Sequence, residues 1–399
     1  MKIKGIIAAA VLFLACQSAP EIPADNSDIT GKALVLNSID YGVADRWYKI
    51  ISETAPRILS VNSVVHGQHF FMLPFFQSYG RGPGNLVSIT YDFVLLDPNG
   101  NVVESFQDIP AVNQTVKADW VLMATNYPLY SFQEDMPLGE YTIILKVKDQ
   151  FAQGPYTIRS QIQLISMPNQ KPLSGFEEYA DYTQNYYSDP QPYLLPQAFI
   201  QLTKSEGLDA NRLRVSLIFF HHVLLRNLYL LDDFIDLYPS LTPQGQTFLI
   251  LLLSGFPELD MVKGFAQGLK EEPQALFSEA SENGFALPSP IISHPVHLDM
   301  LWSEFFALGT YEPLFRLVQG LSLVENKGSM EEYQENPTEA LGYEAMLEAM
   351  HQAIQWSLAS NYRQHDLIRS YLRFMYEYED LSETVKNQLG LIIEKGQDM

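Results

Sequence analysis

The sequence predicts two folded parts in tandem: an all-β antiparallel sandwich over residues 31–166, then an all-α domain of stacked helical hairpins over 209–399. Three observations carry this multidomain reading. Between Lys32 and Ile165 short β-branched and aromatic runs are broken by turn residues, with no helical period among them. After Asp209 strand patterns stop and amphipathic helical ones follow one another, separated by short polar breaks. Between the two lies a stretch, 167–208, rich in Pro, Tyr, Gln and Asn, a composition that suits a linker. At 399 residues, 47% hydrophobic and 18% charged, the chain is long enough for more than one packed core.

Residues 1–16 read MKIKGIIAAAVLFLAC. Lys2 and Lys4 supply a positive start, and the apolar run Gly5–Ala15 has the length of a signal-peptide core, too short to span a bilayer. The closing Phe13-Leu14-Ala15-Cys16 resembles the lipobox of bacterial lipoproteins, with Phe13 where that family prefers Leu. The resemblance is confined to the leader. It implies cleavage before Cys16 and lipidation of Cys16, which would tether an extracytoplasmic protein to the cell envelope, at the outer membrane rather than the inner. Cys16 is the single cysteine, so once acylated it leaves no thiol for disulfides or catalysis. Residues 17–30, with Pro20, Pro23, Asp25, Asn26 and Ser27, read as a polar spacer.

In the β half, Leu86–Leu96 alternates apolar and polar over much of its length, and Asp97-Pro-Asn-Gly100 turns the chain into Asn101-Val-Val103. Pro137-Leu-Gly-Glu140 leads into Tyr141–Lys148, and Gln153-Gly-Pro155 precedes Tyr156–Leu164, where Ile158, Ile162 and Leu164 are apolar. The segments around Pro98-Asn-Gly100 and Pro137-Leu-Gly-Glu-Tyr-Thr-Ile resemble the closing strands of immunoglobulin-like modules in exported bacterial proteins. That resemblance implies an Ig-like architecture and no particular activity. The cysteine pair of antibody-type domains is missing.

In the α half the expected helices are Asn211–Asn227, Pro243–Leu253, Pro257–Leu269, Pro273–Glu282, Val296–Leu308, Glu312–Leu323, Thr338–Ser360, His365–Tyr378 and Ser382–Lys395. The apolar stretch Val215–Leu231 is interrupted by His221, His222 and Arg226, and reads as a buried helix rather than a membrane span. Leu301-Trp302-Ser303 and Gln355-Trp356-Ser357, 54 residues apart, each precede a polar break and a second helix. This resembles the hairpin repeats of α-solenoids such as tetratricopeptide arrays, with a longer period and without their consensus. Trp302 and Trp356 read as core residues of amphipathic helices.

The net charge of −22 is concentrated in Lys171–Met399 and argues against nucleic acid or an anionic lipid surface as partner. No Gly-x-Ser-x-Gly or phosphate-binding glycine loop is present; Gly80-Arg-Gly-Pro-Gly84 falls between strand patterns and reads as a flexible loop. Asp232 and Asp233 follow an apolar helix and suit the start of the next. The most metal-like stretch is His294-Pro-Val-His297-Leu-Asp299, where two imidazoles and a carboxylate would need a further ligand from His221, His222, His351 or His365. Pro295 starts a helix there, leaving His294 outside it, and no established ligand spacing is matched, so no metal and no cofactor is assigned. His66 and His69 suit a polar turn, and one of His221 and His222 the core. Tyr179, Tyr182, Tyr186, Tyr187 and Tyr193 either pack the linker or form a sugar-stacking face.

The function these features favour is a protein-binding or scaffolding module that meets an envelope protein while tethered to the membrane by its N-terminal lipid. The alternatives are an envelope-polymer hydrolase using carboxylates or a histidine-bound metal, and a carbohydrate-binding lipoprotein.

Overall fold

The computed structural model describes residues 33–50, 58–116, 120–168, 172–204, 209–283, 292, 294–328 and 337–397. The leader with Cys16 and the spacer 17–30 lie outside the described residues. β-Sheets fill the first half and helices the second, and the chain divides into two compact units: one running to Gln170 together with Arg226–Tyr229, the other comprising Lys49–Ile51, Lys171–Leu225 and Leu230–Met399.

The first unit holds β1 (Ala33–Ser38), α1 (Val43–Lys49), β2 (Ser63–Val64), β3 (Phe70–Phe76), β4 (Leu86–Leu96), β5 (Val102–Thr115), β6 (Leu122–Met123), β7 (Leu129–Tyr130), β8 (Gly139–Asp149) and β9 (Tyr156–Leu164). One sheet has β3 between β1 and the short β6 and β7; the other runs β2-β9-β8-β4-β5. Every pairing is antiparallel except β2 with β9, which is parallel. Alternation decides which side chains go inward. Val87, Ile89, Tyr91, Phe93 and Leu95 of β4, and Tyr141, Ile143, Leu145 and Val147 of β8, join Ala33, Val35, Phe70, Met72 and Phe76 of the first sheet in one hydrophobic cluster.

β3 is apolar throughout, FFMLPFF, because it is covered on both faces. Phe70, Met72 and Phe76 enter the shared core, while Leu73 and Phe75 pack with Val43 and Trp47 of α1. Sequence periodicity predicts no helix in this half, and α1 is the departure. Asp40 nucleates it: its carboxylate accepts from Gly42 N at 2.8 Å, an Asx turn feeding the first helical turn. The turn Asp97–Asn101 is as expected, with Asp97 Oδ1 accepting from Asn99 N at 2.9 Å and Asn101 N at 2.7 Å, and Gly100 at φ +84°.

The second unit contains α2 (Phe176–Asn185), α3 (Leu195–Thr203), α4 (Ala210–Arg226), α5 (Leu231–Leu237), α6 (Pro243–Leu253), α7 (Asp260–Gln267), α8 (Glu271–Asn283), α9 (Pro295–Leu308), α10 (Tyr311–Gln319), α11 (Pro337–Gln364), α12 (Asp366–Tyr378) and α13 (Glu383–Gln397). The stretch expected as a linker over 167–208 therefore carries α2 and α3. Tyrosine-rich composition disguised them: Tyr179, Tyr186 and Tyr187 are buried, so aromatic rings that suggested an irregular segment are core. Phe199 packs edge-on against Phe220 at 5.3 Å and Phe234 at 5.4 Å, which joins α3 to α4 and α5. A larger cluster unites α9 to α13 around Leu301, Phe305, Leu314, Ile354, Ile368 and Leu389.

Helices α9 and α10 pack together, as do α11 and α12, but the two tryptophans are not equivalent. Trp302 is 7% exposed and stacks on Phe306, whereas Trp356, expected in the core, is 73% exposed. Along α11 the core is built from Leu347, Met350, Ile354 and Leu358, and Trp356 falls about 160° around the helix from Leu358.

Candidate functional site

Helix α9 carries the histidines and aspartate of the most metal-like stretch. It opens on His294, whose Nδ1 accepts from Val296 N at 3.2 Å, and so serves as an N-cap with Pro295 at the first helical position. His297 lies one turn on, its ring centroid 6.1 Å from that of His294. Burial pushes the His297 pKa down, and the neighbouring His294, Arg214 of α4 and Arg316 of α10 push it the same way. A field with two guanidinium groups beside the imidazole opposes a divalent cation. Asp299 is exposed.

The remaining histidines are engaged elsewhere. His221 stacks on Phe256 at 4.7 Å, and a side chain at Gly255 would strike its ring; His365 Nδ1 meets the Tyr187 hydroxyl at 3.0 Å. Both His221 and His222 are buried, where the sequence suggested one. Among the described residues no group of three or more His, Cys, Asp or Glu side chains is arranged to hold a metal ion. In the first unit the His66 Nε2 bonds Met136 O at 2.9 Å.

Two polar constellations escaped sequence reasoning. The first is a buried ion pair, Arg46 Nε to Asp40 Oδ2 at 2.6 Å, with side-chain exposures of 7% and 2%. Burial raises the Asp40 pKa, opposed by the Arg46 charge and by the Gly42 N–H. The only hint in sequence is an aspartate placed to start α1 with an arginine six residues later. The second lies on the outward face of the five-stranded sheet, where Lys148 Nζ reaches Asp92 Oδ1 at 2.6 Å and Asp108 Oδ1 at 2.7 Å. Lys148 donates to both carboxylates, and these hydrogen bonds raise its pKa and favour the protonated amine.

Beside Lys148 a shallow groove of about 230 Å³ is lined by Ser88, Thr90, Asp149 and Gln150. It falls below the roughly 300 Å³ at which pockets begin to enclose a ligand. Its floor is structural: Asp149 accepts from Gly80 N at 2.8 Å and from Phe151 N at 3.0 Å. These bonds pin the glycine-rich loop that the sequence suggested was flexible, and Phe151 fills the space that a side chain at Gly82 would take.

Asp232 and Asp233 occupy the first turn of α5, as expected of residues favoured by a helix N-terminus. In the tyrosine-rich stretch the buried rings of Tyr179, Tyr186 and Tyr187 present no stacking face. Among the described residues no helix is long and apolar enough to cross a membrane.

No protein-family model matches the chain, and no curated protein matches it. Among solved structures it is similar to a family 123 glycoside hydrolase from Clostridium perfringens, described for glycolipid glycan hydrolysis, at 11% identity and a TM-score of 0.22. The match covers 49% of this chain and 36% of that one, and at this level it carries no activity across.

Proposed function

We propose that this protein is an extracytoplasmic lipoprotein, acylated at Cys16, that binds another protein of the cell envelope, with an Ig-like β-sandwich as its first unit. The Ig-like reading is supported by the strand order β9-β8-β4-β5, which follows the G-F-C-C′ order of variable-type domains. A tyrosine-corner bond adds to it: the Tyr141 hydroxyl at the start of β8 donates to Pro137 O at 2.9 Å.

The observation that carries the binding reading is Trp356. An indole 73% exposed on a helix whose opposite face is core is the residue type that anchors protein interfaces. The tether is tested by acyl labelling and fractionation: wild type should take up label and sediment with membranes, and Cys16→Ser should lose both. Equal membrane association of the two proteins would remove the tether. Photo-cross-linking from position 356 in intact cells should trap one envelope protein; a cross-linker there that captures none removes the binding role of this surface.

A further inference from the structure

β5 ends its sheet, hydrogen-bonded to β4 on one side. Its far half is covered, since Ala111 O accepts from Thr125 N at 2.8 Å and Pro110 O from Asn126 Nδ2 at 2.8 Å. The near half, Val102–Gln107, is an edge. Proteins usually blunt such edges with charged side chains, lysine above all, with proline or with bulges; here the guards are Glu104 and the register shifts at either end of the segment. Val102-Val-Glu-Ser-Phe-Gln107 contains neither lysine nor proline, and Glu104, Ser105 and Phe106 run in step with Leu95, Val94 and Phe93 between two register shifts.

The side chains along this edge are specific. Glu104 and Phe106 lie opposite Leu95 and Phe93, both fully buried, and therefore share the core-side face. Phe106 stacks on Phe93 at 6.0 Å yet stays 46% exposed, so the core row continues into the last strand and, among the described residues, is only partly covered there. Ser105, between them, faces the other side.

We propose that this edge receives an extended segment of a partner protein by strand addition, the segment placing an apolar side chain against Phe106 and a basic one against Glu104, two residues apart. An antiparallel strand would add hydrogen bonds to the edge, bury Phe106 and neutralise Glu104 at once. A second copy of this chain fits poorly. Antiparallel self-pairing about Glu104 sets the two carboxylates against each other, and pairing about Ser105 sets each carboxylate against the other copy's Phe106. Two chains of net charge −22 also repel.

This inference rests on the protein-binding reading and is tested separately from it. The probe is a fluorescein-labelled threonine-rich peptide carrying Val-Thr-Lys at its centre, added to the full chain and followed by anisotropy and backbone amide exchange. Controls carry Glu for Lys, or Pro for the central Thr. The Lys peptide should bind about tenfold or more tightly than the Glu peptide, with slowed exchange confined to residues 102–107. Glu104→Lys should invert that preference, and Phe106→Ser should weaken both. Failure of every peptide to bind folded wild type overturns the proposal, as does a wild-type dimer that Glu104→Lys dissolves. An envelope protein cross-linked from Trp356 while no peptide binds would overturn the edge and leave the binding reading intact. Peptide capture with no such cross-link supports the edge and removes Trp356 as an anchor.

Discussion

The Tyr187 hydroxyl lies 3.0 Å from His365 Nδ1, joining residues 178 apart in sequence. Tyr187 follows α2, and His365 stands at the one-residue break between α11 and α12. His365 is buried against Phe306 and Tyr187, and burial lowers its pKa from the ordinary 6.5, with Asp366 opposing weakly.

A pH dependence follows from that burial. The unfolded ring binds its proton near 6.5 and the folded ring at a lower pH, so the stabilisation is complete above 6.5 and is lost as pH falls toward the folded pKa. His221 and His297, also lowered by burial, act in the same direction. Thermal unfolding of wild type should drop between about pH 7 and pH 5, and His365→Gln should flatten that slope. Parallel curves for the two proteins would show that this ring titrates alike in both states.

Breaking the buried Asp40–Arg46 pair should cost far more than removing both of its charges. Arg46→Met leaves a buried carboxylate without its counter-charge and should cost about 3–5 kcal/mol in chemical denaturation. Adding Asp40→Asn should recover most of it, because an amide oxygen still accepts from Gly42 N while the charge is gone. A double variant as unstable as Arg46→Met would mean that packing by the arginine stem is what matters.

The two tryptophans separate stability from surface. Trp302→Ala opens a cavity among Phe305, Phe306 and their neighbours and should cost about 3–5 kcal/mol. Trp356→Ala should change stability by no more than about 0.5 kcal/mol. Denaturant midpoints with unchanged slopes measure both.

His294 should matter as a cap and not as a ligand. His294→Ala should cost about 1 kcal/mol through loss of the bond to Val296 N, by the same amount with zinc added or with chelator. A zinc-dependent rise in the wild-type melting temperature, absent in His294→Ala, would reinstate the metal reading.

Much of the architecture was legible in local pattern. The span Leu86–Leu96 emerges as β4 to the residue, and Pro243–Leu253 as α6, because alternation and the proline start are properties of the segment itself. α1, α2 and α3 were not legible. α1 is a short helix whose existence depends on an aspartate turn and on the outer face of β3, and α2 begins in a run whose tyrosines find burial only against distant helices.

The candidate chemistry divides in the same way. His294, Pro295 and the start of α9 could be read from the chain, but the guanidinium groups of Arg214 and Arg316 beside His297 come from α4 and α10. The ion pair of Asp40 with Arg46 and the exposure of Trp356 likewise depend on what packs nearby. By itself the sequence determined the succession of β and α halves, the acidic balance and the bounds of elements such as β4, β9 and α6, since these follow from the order of residues over one or two turns. Only the tertiary structure decided which of two similar tryptophans is core, which histidines meet, and which strand is left as an edge. Those depend on contacts between segments that no local period records.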